Sequence, residues 1–343
     1  MKPITIAGGG LAGLALGIGL RQRGVPVTIF EAGRYPRHRV CGEFISGRGR
    51  AALAELELEE KILGCGAGEA RTAAFFSQRV NGSPQNLPRP ALCLSRYILD
   101  DLLAKEFQRL GGTLCQEQRW REGFGGGIVR ATGRRLAAAA NGWRWFGLKV
   151  HTRGVRLAAD LEMHLTRQGY VGLCRLNDNV VNVCGLFRSR EPVSDLAQKW
   201  RDWLGGAEGS VLRQRLDGAE FLPETFCSVA GLQPVPEPVV ERGECRVGDA
   251  ITMIPPLTGN GMSMAFESAA MVVKSVAAYS DGTMAWAETC QEAAQRCERR
   301  FRKRLWWSDW LQNGLLHDGT ADTLIWMGSR WSGLWQTLFQ QTR

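Results

Sequence analysis

Histidine is scarce in this chain of 343 residues, with four in all, and no cluster of histidine and cysteine stands at metal-ligand spacing. The missing ligand spacing argues against a structural zinc site, and no metal is expected. The ten cysteines are scattered singly, without a C-x-x-C pair, as in a reducing cytoplasm rather than a disulfide framework. No stretch approaches the ~18 unbroken apolar residues of a membrane span. The opening "MKPITIAGGG" lacks the basic head, apolar run and small-residue cleavage site of a signal peptide, so a cytoplasmic location is expected. Repeats and low-complexity segments are also missing. The net charge of +9 would suit nucleic acid or anionic lipid, yet no nucleic-acid-binding module accompanies it, and no nucleic-acid partner is expected.

What is present starts at residue 4. "ITIAGGGLAGLALGIGLRQRGVPVTIFEA" reads as a buried strand over 4–7, a glycine turn, a small-residue helix over about 11–23, and a second strand over 25–30 ending at Glu31 and Ala32. Gly8, Gly10 and Gly13 occupy the G-x-G-x-x-G positions, which serve a tight turn, backbone approach to a pyrophosphate, and close helix-to-strand packing. Leu11 and Ala12 open the helix whose free N–H groups face those phosphates. Glu31 is placed to bind a ribose hydroxyl. Tight packing without a ligand is the alternative for a glycine fingerprint alone; strand, helix, strand and acid in register favour a bound dinucleotide, either NAD or FAD.

The following segments depart from a regular doubly wound sheet. "RYPRHRVCGEFISGRGRAAL" carries Arg39, Cys41, Gly42 and Glu43 in a loop before a helix, and "LCLSRYILDDLLAKEFQRLGG" delivers Ser95 and Arg96 to the start of another. Far along the chain, "RVGDAITMIPPLTGNGMSMAFESAAM" combines Gly248-Asp249, Pro256, and Gly259, Asn260, Gly261 and Met262 before a long helix. Glycines there let backbone N–H groups approach a flat ring, prolines stiffen the loop, and the positive helix end favours negative charge on that ring.

Together these segments resemble the flavoprotein monooxygenase and geranylgeranyl-reductase group, which shares the p-hydroxybenzoate hydroxylase fold. The resemblance spans roughly residues 4–275. It implies an α/β protein with a Rossmann-like FAD-binding domain, an interleaved antiparallel-sheet substrate domain and C-terminal helices. It also implies that Arg96 lies on the FAD, that the loop of 36–46 runs past the flavin, that the Asp249 carboxylate accepts from the ribityl chain, and that the helix after Gly261 aims at the isoalloxazine. FAD is the implied cofactor, and NAD(P)H is open as electron donor. The expected domains are 1–75, 92–140 and 240–280 for FAD, 76–91 and 141–239 for the substrate sheet, and 281–343 for the helices. One departure stands out: "IVRATGRRL" puts Thr132 where the group carries aspartate, and the preceding three-stranded meander looks truncated.

Residues 145–189 alternate apolar and polar positions around turn signals, so they read as antiparallel strands; the resemblance makes them the roof of a hydrophobic pocket. Catalytic candidates are Cys41, as a proton donor or simply a small buried hydrophobe, and Glu43, as an acid or base or a backbone hydrogen-bonding partner. His151 and His164 lie on neighbouring predicted strands and either share the cavity or are structural; Lys149 reads as a solvated edge. The C-terminal region places six Arg or Lys within 296–304, followed by Trp306, Trp307 and Trp310 and later Trp326, Trp331 and Trp335. Cationic, Trp-rich helices can lie in a membrane interface. Packing over the flavin domain is the favoured alternative, and closing a pocket for a long apolar substrate is a third.

The resulting expectation is an FAD-dependent reductase or dehydrogenase of a prenyl, polyketide or lipid-like substrate. The alternative is an FAD-dependent monooxygenase of an aromatic or quinone-like one. A halogenase is disfavoured because the tryptophan-centred motif of that branch is absent, and a non-catalytic flavin-binding protein is the remaining option.

Overall fold

The computed structural model describes residues 1–134, 142–177, 179–233, 236 and 243–343, and within them two sheets meet across a single large cavity. The chain opens with β1 (Ile4–Ala7), α1 (Leu11–Arg21) and β2 (Val27–Glu31), then a loop carrying the short strand β3 (Phe44–Ile45). Helices α2 (Arg48–Glu55) and α3 (Glu59–Gly64) lead to strands β4 (Gly68–Phe76) and β5 (Gln85–Cys93). Next come α4 (Arg96–Arg109), β6 (Thr113–Gln116) and β7 (Ile128–Arg130). Strands β8 (Arg144–Arg153), β9 (Leu161–Thr166), β10 (Gly169–Arg175) and β11 (Val180–Ser189) follow, then α5 (Leu196–Leu204), α6 (Val211–Leu216), β12 (Glu220–Leu232) and β13 (Cys245–Arg246). Two 3-10 turns, Gly248–Ala250 and Pro256–Thr258, precede α7 (Gly261–Asp281), α8 (Trp286–Leu315), α9 (Asp318–Arg330) and α10 (Ser332–Gln341).

The first sheet is parallel throughout, in the order β13-β7-β1-β2-β6. Ile6 and Ile29 face each other in register and are wholly buried, as a sheet covered on both faces requires. Glycines in α1 bring it close to its neighbours: a Cβ on Gly17 would stand 2.8 Å from Ile29 and 2.9 Å from Phe107 of α4. Full burial of Phe107 contributes about 2–3 kcal/mol, so bulk at Gly17 would cost packing as well as space. β6 and β7 are joined through 117–127 without a strand, so the truncated meander read from the sequence has no strand in this segment.

The second sheet has eight strands in the order β12-β8-β11-β10-β9-β4-β5-β3. It is antiparallel except where β4 runs parallel to β9, so the all-antiparallel expectation needs correcting at that pair. Because β4 belongs here, the boundary expected at 75/76 falls at the end of a strand of the second sheet, and that sheet draws on residues 44–93 as well as the later segment. β12 was not read from the sequence; register shifts and a proline interrupt its alternation.

Period-two alternation gives β8 two different faces. Phe146, Leu148 and Val150 pack with Trp200 and Leu204 of α5, while Gly147, Lys149 and His151 point the other way. On that inner face Lys149 lies opposite Cys184 of β11 and Cys227 of β12, and His151 opposite Asn182 and Leu222.

Candidate active site

The cavity has a volume of about 740 Å³ and runs between the two sheets, beneath the C-terminal helices. One half of it is framed by the ends of two helices. Gly8 has φ +112°, and a Cβ there would stand 2.2 Å from the Ala131 carbonyl; one on Gly13 would stand 1.9 Å from the Gly8 carbonyl. Those glycines are explained by the protein's own packing. Gly10 is not: it has open space where a side chain would be and lines the cavity at the start of α1. Gly261 repeats the arrangement at the start of α7, again with nothing within 4 Å. Two helix N-termini thus expose free N–H groups to one space with their side chains withheld, which suits an anionic ligand with a flat ring.

Asp249 supplies the polar contact between them. It lines the cavity and makes no hydrogen bond to any described residue, and burial pushes its carboxyl up despite the fields of Arg134 and Arg96. An unpartnered carboxylate beside a ligand cavity is an acceptor ready for hydroxyl groups. The Gly248 N–H donates to Ser268 Oγ of α7 at 2.9 Å, which ties the turn to the helix. Leu11, Ala12, Arg39, Cys41, Gly42, Arg96, Pro256, Gly259 and Met262 also line the cavity. The open glycine cradles and the free carboxylate fit FAD.

Other residues expected at the cofactor have different surroundings. Glu31 is buried and accepts from the Gly9 N–H at 2.9 Å, the Gly33 N–H at 2.8 Å and Arg37 at 2.6 Å. Burial opposes its ionisation, but Arg37, the Gly33 N–H and Arg39 outweigh it and hold the carboxyl below its usual range. Its first task is to brace the glycine turn. Arg96 grips Asp100 in a bidentate pair at 2.6 and 2.8 Å, one turn along α4, whose N-cap is Ser95. Gly8, Gly13, Glu31, Ala32 and Asn260 do not line the cavity. Asn260 is wholly buried, and its side-chain amide donates to the Thr342 carbonyl, so the start of α7 is tied to the end of the chain.

A polar corner occupies the roof. Glu43, with φ +62° and no exposure, accepts from the Arg96 N–H at 2.8 Å, from Lys149 Nζ at 3.2 Å and from His151 Nε2 at 2.6 Å. Burial would raise its pKa, yet His151, Lys149 and the Arg96 N–H lower it, so Glu43 is a carboxylate. Lys149 also reaches His38 Nδ1 at 3.1 Å. Lys149 is therefore no solvated edge: its side chain is 0 % exposed, because its alternation in β8 points inward to a buried acid. His151 and His164 do not share the cavity either. β11 and β10 separate their strands, and His164 instead bonds Glu162 at 2.9 Å and stacks on Phe76. Cys41 is half-buried, and desolvation pushes its thiol up, so it is held as the less reactive thiol.

The remaining wall is apolar. Met163, Tyr170 and Leu186 of the sheet face Leu311 and Leu315 of α8, Leu324 and Ile325 of α9, and Leu338 and Phe339 of α10. The C-terminal helices thus close the outer end of the cavity. Their charge is less free than the sequence suggested, because Arg300 and Arg304 bind Glu267 of α7 and Arg296 binds Glu292. His38, Arg134 and the leucines of α8 and α9 were missed in the sequence. Only the position of His38 beside the Cys41-Gly42-Glu43 loop could have signalled it.

No protein-family model and no curated protein matches this chain. Solved structures do. A flavoprotein/dehydrogenase from Cytophaga hutchinsonii superposes with a TM-score of 0.76 at 16% identity, covering 100% of this chain and 92% of that one. PqsL of Pseudomonas aeruginosa, described as a probable FAD-dependent monooxygenase, gives 0.70 at 13% identity over 95% of this chain and 99% of its own. The flavin-dependent brominase Bmp2 gives 0.68 at 16% identity over 95% and 92%. With its glycine-turn parallel sheet, curled second sheet and cavity between them, the chain has the p-hydroxybenzoate hydroxylase fold that these flavoproteins share.

Proposed function

We propose that the protein is an FAD-dependent oxidoreductase acting on a hydrophobic small molecule. The observation that carries this reading is the unpartnered Asp249 carboxylate set between two open glycine cradles, Gly10 and Gly261. FAD supplies the redox chemistry when bound. The chain's residues hold it, exclude water and present an apolar substrate. Reduction or dehydrogenation of a prenyl, polyketide or lipid-like compound is favoured, because polar groups gather at one corner and the wall under α8–α10 is aliphatic. Oxygen-dependent hydroxylation of an aromatic or quinone-like compound is the second reading, supported by the likeness to PqsL. Anaerobic reduction with NAD(P)H, followed in separate samples by an organic acceptor or by oxygen, distinguishes them: reoxidation by an alkene or quinone acceptor supports the first, and oxygen from added O2 incorporated into product the second. A purified chain that neither carries nor takes up flavin counts against both.

We further propose that α8 docks on an anionic lipid surface. No helix among the described residues is long and apolar enough to cross a membrane. Trp306 and Trp310 are 60% and 45% exposed, and they follow the exposed Arg299 and Lys303 at helical spacing on one face. Such a cationic, Trp-bearing face suits the headgroup region. The same helix lines the cavity through Leu311 and Leu315, which would bring an apolar substrate close to its source.

A further inference from the structure

Apolar walls hold a substrate but do not orient it; a few placed polar groups do that. His38 lines the cavity from the loop of 36–46, on the side where that loop meets β8. Its ring is fixed on three sides. It stacks on Tyr97 with centroids 4.7 Å apart, meets His151 edge-on at 5.3 Å, and faces Lys149 Nζ at 3.1 Å through Nδ1.

Lys149 decides the tautomer. An ammonium group only donates, so Nδ1 must be the bare, accepting nitrogen, and the ring proton sits on Nε2. The other groups around the ring are Glu43 from the loop, His151 from β8, Glu224 from β12 and Tyr97 from α4. Burial first, then the Lys149 charge, hold the imidazole down to about 4, so it stays neutral at ordinary pH. Glu43 neutralises Lys149 from its other side at 3.2 Å, which keeps the ammonium in place without adding net charge to the corner. Among the described residues, His38 Nε2 has no hydrogen-bond partner.

We propose that His38 is the polar anchor of the substrate cavity, a neutral imidazole whose Nε2–H donates to the carbonyl or enol oxygen of an otherwise apolar substrate. A neutral donor of this kind polarises a carbonyl without giving up its proton, and it develops its strongest bond when the oxygen gains negative charge. The ligand class is an apolar ketone, enone or phenol-like compound rather than a plain hydrocarbon. This rests on the flavin reading only in taking the cavity as the substrate site.

Two measurements on the full chain, with the flavin it carries, test it. In ¹⁵N-histidine NMR, assigned with His38→Gln, the His38 ring should show a bare Nδ1 and a protonated Nε2 between about pH 5 and 8. In isotope-edited infrared spectra of bound [carbonyl-¹³C]acetophenone, the carbonyl stretch should fall below its value in hexane. His38→Phe should abolish that fall and weaken binding about 2- to 10-fold, as expected for one neutral hydrogen bond. His38→Gln, which keeps a donor, should restore part of the shift. An opposite tautomer, a shift that survives His38→Phe, or no saturable binding of the ketone would each overturn the proposal. Flavin content of the same samples reports separately on the oxidoreductase reading, since a colourless chain with an intact carbonyl shift would fail only that one.

Discussion

Lys149 Nζ lies 3.2 Å from Glu43 Oε1, and neither side chain has any exposure. A buried pair of this kind is costly to break, because the survivor is left as an uncompensated charge. Lys149→Met should destabilise the fold by about 3–5 kcal/mol in denaturant titration. Adding Glu43→Gln should recover part of that loss. Additive costs for the two substitutions would show that the pair does not interact.

Acid should weaken the protein in two stages. The His38 pKa is depressed from 6.5 to about 4, so between those values the unfolded chain binds a proton that the native chain does not, and stability falls as pH falls through this window. The full shift corresponds to at most about 3 kcal/mol, reduced by the ring's partial exposure. Glu43 is also depressed; its contribution is present above its ordinary pKa and is lost at lower pH, as the medium passes through its folded value. His38→Phe should make the upper stage shallower in thermal melts, leaving the share that comes from His164, which burial also depresses, and leave the lower stage.

Flavin retention should depend on Asp249 and not on Cys41. Asp249→Ala removes the free carboxylate between the two helix ends and should lower bound flavin at least about tenfold, a loss of roughly 1.4 kcal/mol or more. Cys41→Ala should stay yellow. Normal flavin content in the Asp249 variant would remove this residue from the cofactor site.

The two kinds of glycine should behave differently. Serine is a good N-cap, so Gly10→Ser should keep the melting temperature while filling the space left for ligand, and flavin content should drop. Gly13→Ala instead sets a Cβ 1.9 Å from the Gly8 carbonyl and should cost about 1–3 kcal/mol of stability even without flavin. Equal effects on stability would mean that the Gly10 side is not a ligand cradle.

Membrane docking should need both charge and indole. Sedimentation with vesicles containing anionic phospholipid should fall on Trp306→Ala with Trp310→Ala, and it should weaken in high salt. Binding to neutral vesicles alone, or unchanged binding by the double variant, would dismiss the lipid surface.

The two glycine-rich segments were largely legible in the sequence, and the opposite wall of the cavity was not. Gly8, Gly10 and Gly13 sit in a contiguous stretch whose strand, turn and helix are local structures, and β1 runs over Ile4–Ala7 as its apolar run suggests. Gly248, Asp249 and Gly261 are similarly local to one turn and one helix end. The strands at β8 to β11 could also be read, because alternation is a property of neighbouring residues.

Which face of that alternation looks inward is not local. Lys149 looked like a surface residue because lysine is rarely buried, and only Glu43 and His38, brought to it by the distant loop of 36–46, make its burial tolerable. His151 and His164 could be read as sharing a cavity because their strands are neighbours in sequence, yet the strand order sets β11 and β10 between them. The first glycine turn and the second glycine loop follow from sequence, since backbone geometry over a few residues demands those amino acids. Tertiary structure alone decided the polar corner and the apolar wall, since each is a set of side chains that share a surface only after distant segments pack.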